Sequence, residues 1–82
     1  MNVNENLILD NNWKKVKYYD YDFIVPNYVN WIAVRSDGNV YGLSEKPSIS
    51  GLYWFIPGGN IFENFAQFNL DGLDWRNTLR KV

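Results

Sequence analysis

The alternation of apolar and polar positions is clearest between Trp31 and Ser44, WIAVRSDGNVYGLS. Two runs rich in β-formers and aromatics, Trp31–Arg35 and Asn39–Leu43, flank Asp37-Gly38, a dipeptide that tolerates positive φ. This pattern predicts a hairpin. A tight turn at Asp37-Gly38 sets Ile32 and Val34 beside Tyr41 and Leu43 on one face, with Trp31, Ala33, Val40 and Gly42 on the other. A type I turn followed by a bulged Gly38 would change that pairing. Either way both faces carry apolar groups, so the hairpin is expected inside a sheet with material packed on each side.

Upstream, Met1 to Asn12 reads as a poorly ordered or docking segment that precedes a single globular domain over 13–82. Trp13 to Tyr19 alternates imperfectly, with Val16 and Tyr18 on one parity and Lys15, Lys17 and Tyr19 on the other. It predicts a strand exposed on one side, its lysines blunting an edge. A bend at Asp20-Tyr21-Asp22 leads into Phe23-Ile24-Val25, extended because Pro26 follows. Pro26 to Asn30 fits a turn before the hairpin.

Downstream, Glu45-Lys46-Pro47-Ser48 and Ser50-Gly51 bracket an expected loop. Leu52 to Ile56, LYWFI, lacks alternation and predicts a central strand buried on both faces, so that Tyr53, Trp54 and Phe55 count as core. Pro57-Gly58-Gly59-Asn60 is a turn, Ile61-Phe62 the start of a return strand, and Phe65 to Leu70 a further strand. Asp71-Gly72 breaks the chain again. Asp74 is placed to cap a two-turn helix over Trp75–Arg80, with Trp75 and Leu79 on its inner face and Arg76 and Arg80 on its outer one. The expected fold is therefore α+β: a small antiparallel sheet of four to five strands with one short C-terminal helix packed on it. The alternative is a small all-β barrel with a terminal helical turn.

Composition narrows the chemistry. At 82 residues, a domain buries only about 60% of its unfolded surface and leaves little room for an enclosed cavity. Four Trp, six Tyr and five Phe compensate, because each ring buries roughly 150–250 Å². That is more aromatic surface than so small a core needs, which predicts some exposed rings and a binding face. Without Cys there is no disulfide or thiol chemistry, and without His the commonest general base and metal ligand are missing. A net charge of −1 argues against binding nucleic acid through phosphate contacts. No apolar run reaches the roughly 20 residues of a membrane span, and the N-terminus does not read as a signal peptide.

Several motifs recur together over residues 13 to 80: Trp13-Lys14, Val25-Pro26, Trp31-Ile32-Ala33, Asp37-Gly38, Val40-Tyr41, Lys46-Pro47, Tyr53-Trp54 and Asp74-Trp75-Arg76-Asn77-Thr78-Leu79. In this order they resemble a diffuse family of small bacteriophage and prophage proteins, mostly of unassigned function. Arg35 departs from the pattern, where an acidic residue is more usual, and the resemblance brings no ligand role to it. The resemblance implies a phage accessory protein acting in the cytoplasm of a bacterial host, and it carries over no catalytic residue.

The constellations each have a bland counterpart that outweighs a catalytic role. Asp20, Asp22, Asp71 and Asp74 suit turns and caps better than a metal or an acid–base pair. Pro57-Gly58-Gly59-Asn60 could cradle an anion but lacks the Lys-Ser/Thr of a phosphate loop. Lys14, Lys15 and Lys17 interleave with Trp13, Tyr18 and Tyr19 as in single-strand binders, yet Asp20 and Asp22 cancel the field. The favoured expectation is a non-enzymatic accessory protein, without cofactor or metal, that binds a host protein, such as a defence component, and inhibits or redirects it. Its anchors would be Tyr19, Tyr21 and Tyr28, which stand in polar company, with Arg76 and Arg80 at the rim. The alternative is a homo-oligomeric sponge that sequesters a nucleotide signal or other small ligand. A weak single-stranded nucleic-acid binder ranks third and an enzyme last.

Overall fold

The computed structural model describes residues 12–82; the expectation for Met1 to Asn12 therefore lies, Asn12 apart, outside the described residues. Eight strands follow one another: β1 Trp13–Tyr18, β2 Tyr21–Pro26, β3 Trp31–Val34, β4 Asn39–Leu43, β5 Ser48–Ser50, β6 Tyr53–Phe55, β7 Ile61–Gln67 and β8 Arg80–Lys81. They form three antiparallel sheets: the β1-β2 hairpin, a central sheet in the order β7-β4-β3-β8, and the β5-β6 hairpin.

The predicted central hairpin is present, but its faces are not the ones a tight turn gives. Trp31 pairs with Leu43, Ile32 with Gly42, Ala33 with Tyr41 and Val34 with Val40. Gly38 donates its N–H to Arg35 O at 2.9 Å and has φ 89°, the bulged alternative. One extra residue in the turn moves every β4 side chain to the opposite face relative to β3. Ile32, Val34, Val40 and Gly42 therefore look one way, and Trp31, Ala33, Tyr41 and Leu43 the other.

Each face supports its own core, as two apolar faces require. On the first, Ile32, Val34 and Val40 pack with Val29 and with Val16, Tyr18 and Val25 of the β1-β2 hairpin. Gly42 lets Val29 in, since a Cβ there would sit 2.9 Å from both Val29 methyl groups. On the second, Ala33 and Leu43 pack with Trp54, joined by Trp31, Ile56, Trp75 and Leu79. The β3-β4 pair is thus the middle layer of the molecule.

The α+β expectation is overturned. The segment after Asp74 forms only a three-residue 3-10 turn, Trp75–Asn77, and the chain then straightens into β8 along the free edge of β3. Of the all-β alternative, the antiparallel strands and the terminal helical turn are present but the barrel is not, because the central sheet ends in β7 and β8. Asp74 does cap the turn, its Oδ1 accepting from Arg76 N at 3.0 Å. Two helical turns are marginal without packing, whereas a strand here satisfies backbone groups of β3, and Val82 N donates to Asn30 O at 2.9 Å. Trp75 and Leu79 still enter one core; Arg76 and Arg80 do not form a stripe.

Thr78 is the hinge of that change of course. It is fully buried. Its hydroxyl accepts from Val34 N at 2.9 Å and donates to Trp75 O at 2.6 Å, while its carbonyl accepts the Tyr18 hydroxyl. One residue thus ties β1, β3 and the 3-10 turn together. Thr78→Val keeps the shape but leaves the buried Val34 N–H without an acceptor, so a loss of about 1–3 kcal/mol is expected from urea unfolding. An unchanged midpoint would show that this bond holds nothing.

Two further expectations are corrected. Ile61-Phe62 and Phe65 to Leu70 are not separate strands but belong mainly to one, β7, in which Glu63, Asn64 and Phe65 stand opposite the single Tyr41. Asn64 takes φ 52°, a conformation Asn tolerates. And LYWFI is no central strand. Its middle pairs with Ser48–Ser50, read as loop, and shows one buried residue between two exposed ones.

Candidate functional site

Chain between β4 and β7 leaves the central sheet at Ser44 and returns at Asn60. The two ends are clasped: Ser44 N donates to Asn60 O at 3.1 Å, and Asn60 N to Ser44 Oγ at 2.9 Å. The excursion between them folds as the β5-β6 hairpin, turning at Gly51-Leu52. Trp54 fastens it to the body. Its ring is 9% exposed, meets Trp75 edge-on at 5.7 Å, and donates from Nε1 to Val34 O at 2.9 Å.

The same hairpin presents large apolar groups to solvent: Ile49 is 44% exposed, Leu52 64%, Tyr53 59% and Phe55 51%. Strand alternation explains the split, because Tyr53 and Phe55 point away from the face that carries Trp54. The sequence hid this, since all five residues of LYWFI are apolar and no polar position marks the outside. Clustered exposure of this kind marks interaction sites more often than scattered apolar residues do.

Arg35 stands beside Tyr53. Its guanidinium carbon lies 5.2 Å from the Tyr53 ring centre and 5.5 Å from that of Tyr41, and Nη1 donates to Tyr41 Oη at 2.7 Å. The bond to Tyr41 holds the Arg35 pKa above its ordinary value. Among the described residues Arg35 has no ion pair, and its Nε is out of contact with water without a hydrogen-bond partner. Asp37, the nearby carboxylate, accepts instead from Asn39 N at 3.0 Å and Asn39 Nδ2 at 3.1 Å. A second cation, Lys46, lies 5.6 Å from the Trp31 ring centre.

Three of the residues singled out in the sequence come together, because the Arg80 guanidinium lies over Tyr19 and both Tyr19 and Tyr21 meet Phe68. Tyr19 and Tyr21 join a network of rings with Trp13, Tyr18, Phe23, Phe62, Phe65 and Phe68 that fills the space between β1-β2 and β7. Tyr21 remains 53% exposed. Tyr19 is half-buried at φ 51°, with the Arg80 guanidinium 5.0 Å from its ring centre. Tyr28 is half-buried against the first core. Arg76 turns back on its own cap, with Nη2 2.8 Å from Asp74 Oδ2, and this contact holds the Asp74 carboxyl below its usual range. Tyr18, one of the rings interleaved with the lysines, is buried, which pushes its phenol pKa up and removes it from any stacking surface.

Elsewhere, a shallow groove of about 440 Å³ runs between the β3-β4 turn and the chain after β7, lined by Ser36–Gly38 and Gln67–Leu70. Gln67 Nε2 already donates to Asp37 O across it at 2.9 Å. Among the described residues no three Asp, Glu, His or Cys side chains gather as metal ligands, and no helix is long and apolar enough to cross a membrane. Comparison of the chain with protein-family models, with curated proteins and with solved structures finds no match.

Proposed function

We propose that this chain is a non-enzymatic binding protein that assembles with copies of itself and sequesters a small ligand of nucleotide type. The observation that carries the reading is the β5-β6 hairpin, whose apolar side chains are exposed beside an arginine that forms no ion pair among the described residues. A single subunit of this size has little interior, so a small ligand is best enclosed where subunits meet. Exposed Leu52 and Phe55 provide the apolar contact such an assembly needs, and Tyr53 with Arg35 the aromatic and cationic groups that would line it. The resemblance to small phage proteins adds the setting: an accessory factor in the cytoplasm of a bacterial host that removes a signal on which a defence response depends.

Light scattering after size exclusion, with analysis of the small molecules released by heating protein purified from infected cells, tests this reading. A defined oligomer that releases a stoichiometric metabolite is expected. A monomer that releases none overturns it.

The same hairpin favours one second reading, the inhibition or redirection of a host protein. Tyrosines flanked by apolar groups and arginine are frequent anchors of protein interfaces. Under that reading the chain is monomeric when alone, and Leu52→Asp with Phe55→Asp abolishes capture of one defined host protein while the thermal unfolding midpoint stays within a few degrees.

A further inference from the structure

We infer that Arg35, Tyr41 and Tyr53 form a mononucleotide subsite, in which the Arg35 guanidinium takes a phosphate group and the Tyr53 ring stacks the base. The inference rests on the sequestering function proposed above and names the ligand class and the residues that read it.

Arginine on a small domain ordinarily pairs with a carboxylate or extends into water. Among the described residues Arg35 forms no ion pair, and it is held at one end only: its Nη1 is bonded to Tyr41 Oη, and the ring centres of Tyr41 and Tyr53 lie within 5.5 Å of its guanidinium carbon. The side chain has therefore already lost most of its rotamer freedom, which removes part of the entropic penalty of binding. The carboxylate of Asp37, on the same turn, accepts from Asn39 and acts on Arg35 through its charge without forming an ion pair with it. Nη2 has no hydrogen-bond partner among the described residues and is not enclosed. A guanidinium with open N–H groups in a fixed plane suits the oxygens of a phosphate. Nε, enclosed without an acceptor, is a cost that folding alone does not recover, as expected where local structure is shaped for something other than stability.

The second half of the subsite is the outer face of β6. Tyr53 is 59% exposed while its ring adjoins the guanidinium, so an aromatic surface remains open, and Phe55 continues the same strand face two residues on. Stacking on rings of this kind accepts any base. Lys46, against Trp31, adds positive charge on the same side of the central sheet. With a net charge of −1 and two cations here, the chemistry fits a free nucleotide better than a polyanionic strand.

The test uses titration calorimetry of the full chain with AMP, adenosine, inorganic phosphate and a short oligonucleotide, on native protein and on Arg35→Gln and Tyr53→Leu, with circular dichroism confirming the fold of each. Arg35→Gln is expected to weaken AMP and phosphate by about tenfold or more, as loss of a charge-assisted bond would, and to leave adenosine unchanged. Tyr53→Leu should weaken AMP and adenosine but not phosphate. Equal AMP affinity in native protein and Arg35→Gln, no AMP binding at millimolar concentration, or tighter binding of the oligonucleotide than of AMP would each overturn the subsite. Light scattering on the same samples separates the two proposals: a monomer that binds AMP through Arg35 keeps the subsite and sinks the oligomer, whereas an oligomer blind to AMP does the reverse.

Discussion

Trp54→Ala is expected to lower the folding free energy by about 3–5 kcal/mol, the range for removing a large buried ring. For a domain of this size that is a large part of the total, since whole domains hold only about 5–15 kcal/mol. The reason is position. The ring closes the second core over Ala33 and Leu43, meets Trp75 edge-on, and ties the excursion between Ser44 and Asn60 to Val34 O. Without it the β5-β6 hairpin keeps its own ladder, the clasp at Ser44, the Arg35–Tyr53 contact and the edge packing of Ile56, and a two-stranded ribbon alone is marginal in water. Urea unfolding followed by near-ultraviolet circular dichroism measures the effect. Trp54→Phe separates ring from bond, because it keeps most of the apolar contact and loses only the donor to Val34 O, for about 1 kcal/mol. A Trp54→Ala protein within 1 kcal/mol of the native one would mean that the hairpin is not held by this residue, and the placement of Tyr53 beside Arg35 would lose its support.

Gly38→Ala is the second large effect, at about 2–4 kcal/mol, from the left-handed backbone that L-residues resist and from overpacking. Gly38 has φ 89°, and a Cβ there would stand 2.7 Å from Phe68 O and 2.5 Å from Gln67 Nε2. The side-chain amide can move aside. The carbonyl cannot do so cheaply, because Phe68 N donates to Gly38 O at 2.7 Å and locks the two segments together. Relief would require the turn to tighten, which would slide β4 against β3 by one residue and carry Val40 out of the first core. The expected result is a less stable protein with the native register, visible as a lowered urea midpoint and unchanged amide cross-peaks between β3 and β4. A stable Gly38→Ala protein in which Val34 pairs with Tyr41 and Ile32 with Leu43 would show that the bulge does not set the register.

The position of the central hairpin was legible because Asp37-Gly38 interrupts two β-rich runs, and so was its burial on both sides, because apolar residues occupy both parities. Its register was not. The tight turn and the bulged turn both place Gly38 at positive φ, and only the packing of Val40 over Val34 and of Leu43 under Trp54 selects between them. The cap at Asp74 was legible for a local reason, one side chain reaching a backbone N–H two residues away. The helix it was expected to start was not formed, because Thr78 finds Val34 and Tyr18, residues 44 and 60 positions distant in the chain.

Surplus aromatic residues pointed toward a binding face but not to its place. Tyr19 and Tyr21 were singled out for polar neighbours in sequence; Tyr21 does stay 53% exposed, whereas Tyr19 is half-buried, and both lean on Phe68 from the segment after β7. Tyr53 and Phe55 were assigned to the interior by their apolar neighbours, yet only the face of their strand that carries Trp54 packs on the body. Arg35 gave no signal at all beyond departing from the phage-protein pattern, since a lone arginine after a strand has no partner that spacing can reveal.

The sequence by itself determined where the central hairpin and its turn fall and where Asp74 caps, since turn residues and β-branched or aromatic runs act through contacts a few residues long. Which strand face is inside, which edge the last residues join, and which rings stay in water were decided only by the tertiary structure. Each of those depends on segments far apart in the chain competing for the two faces and free edges of β3 and β4.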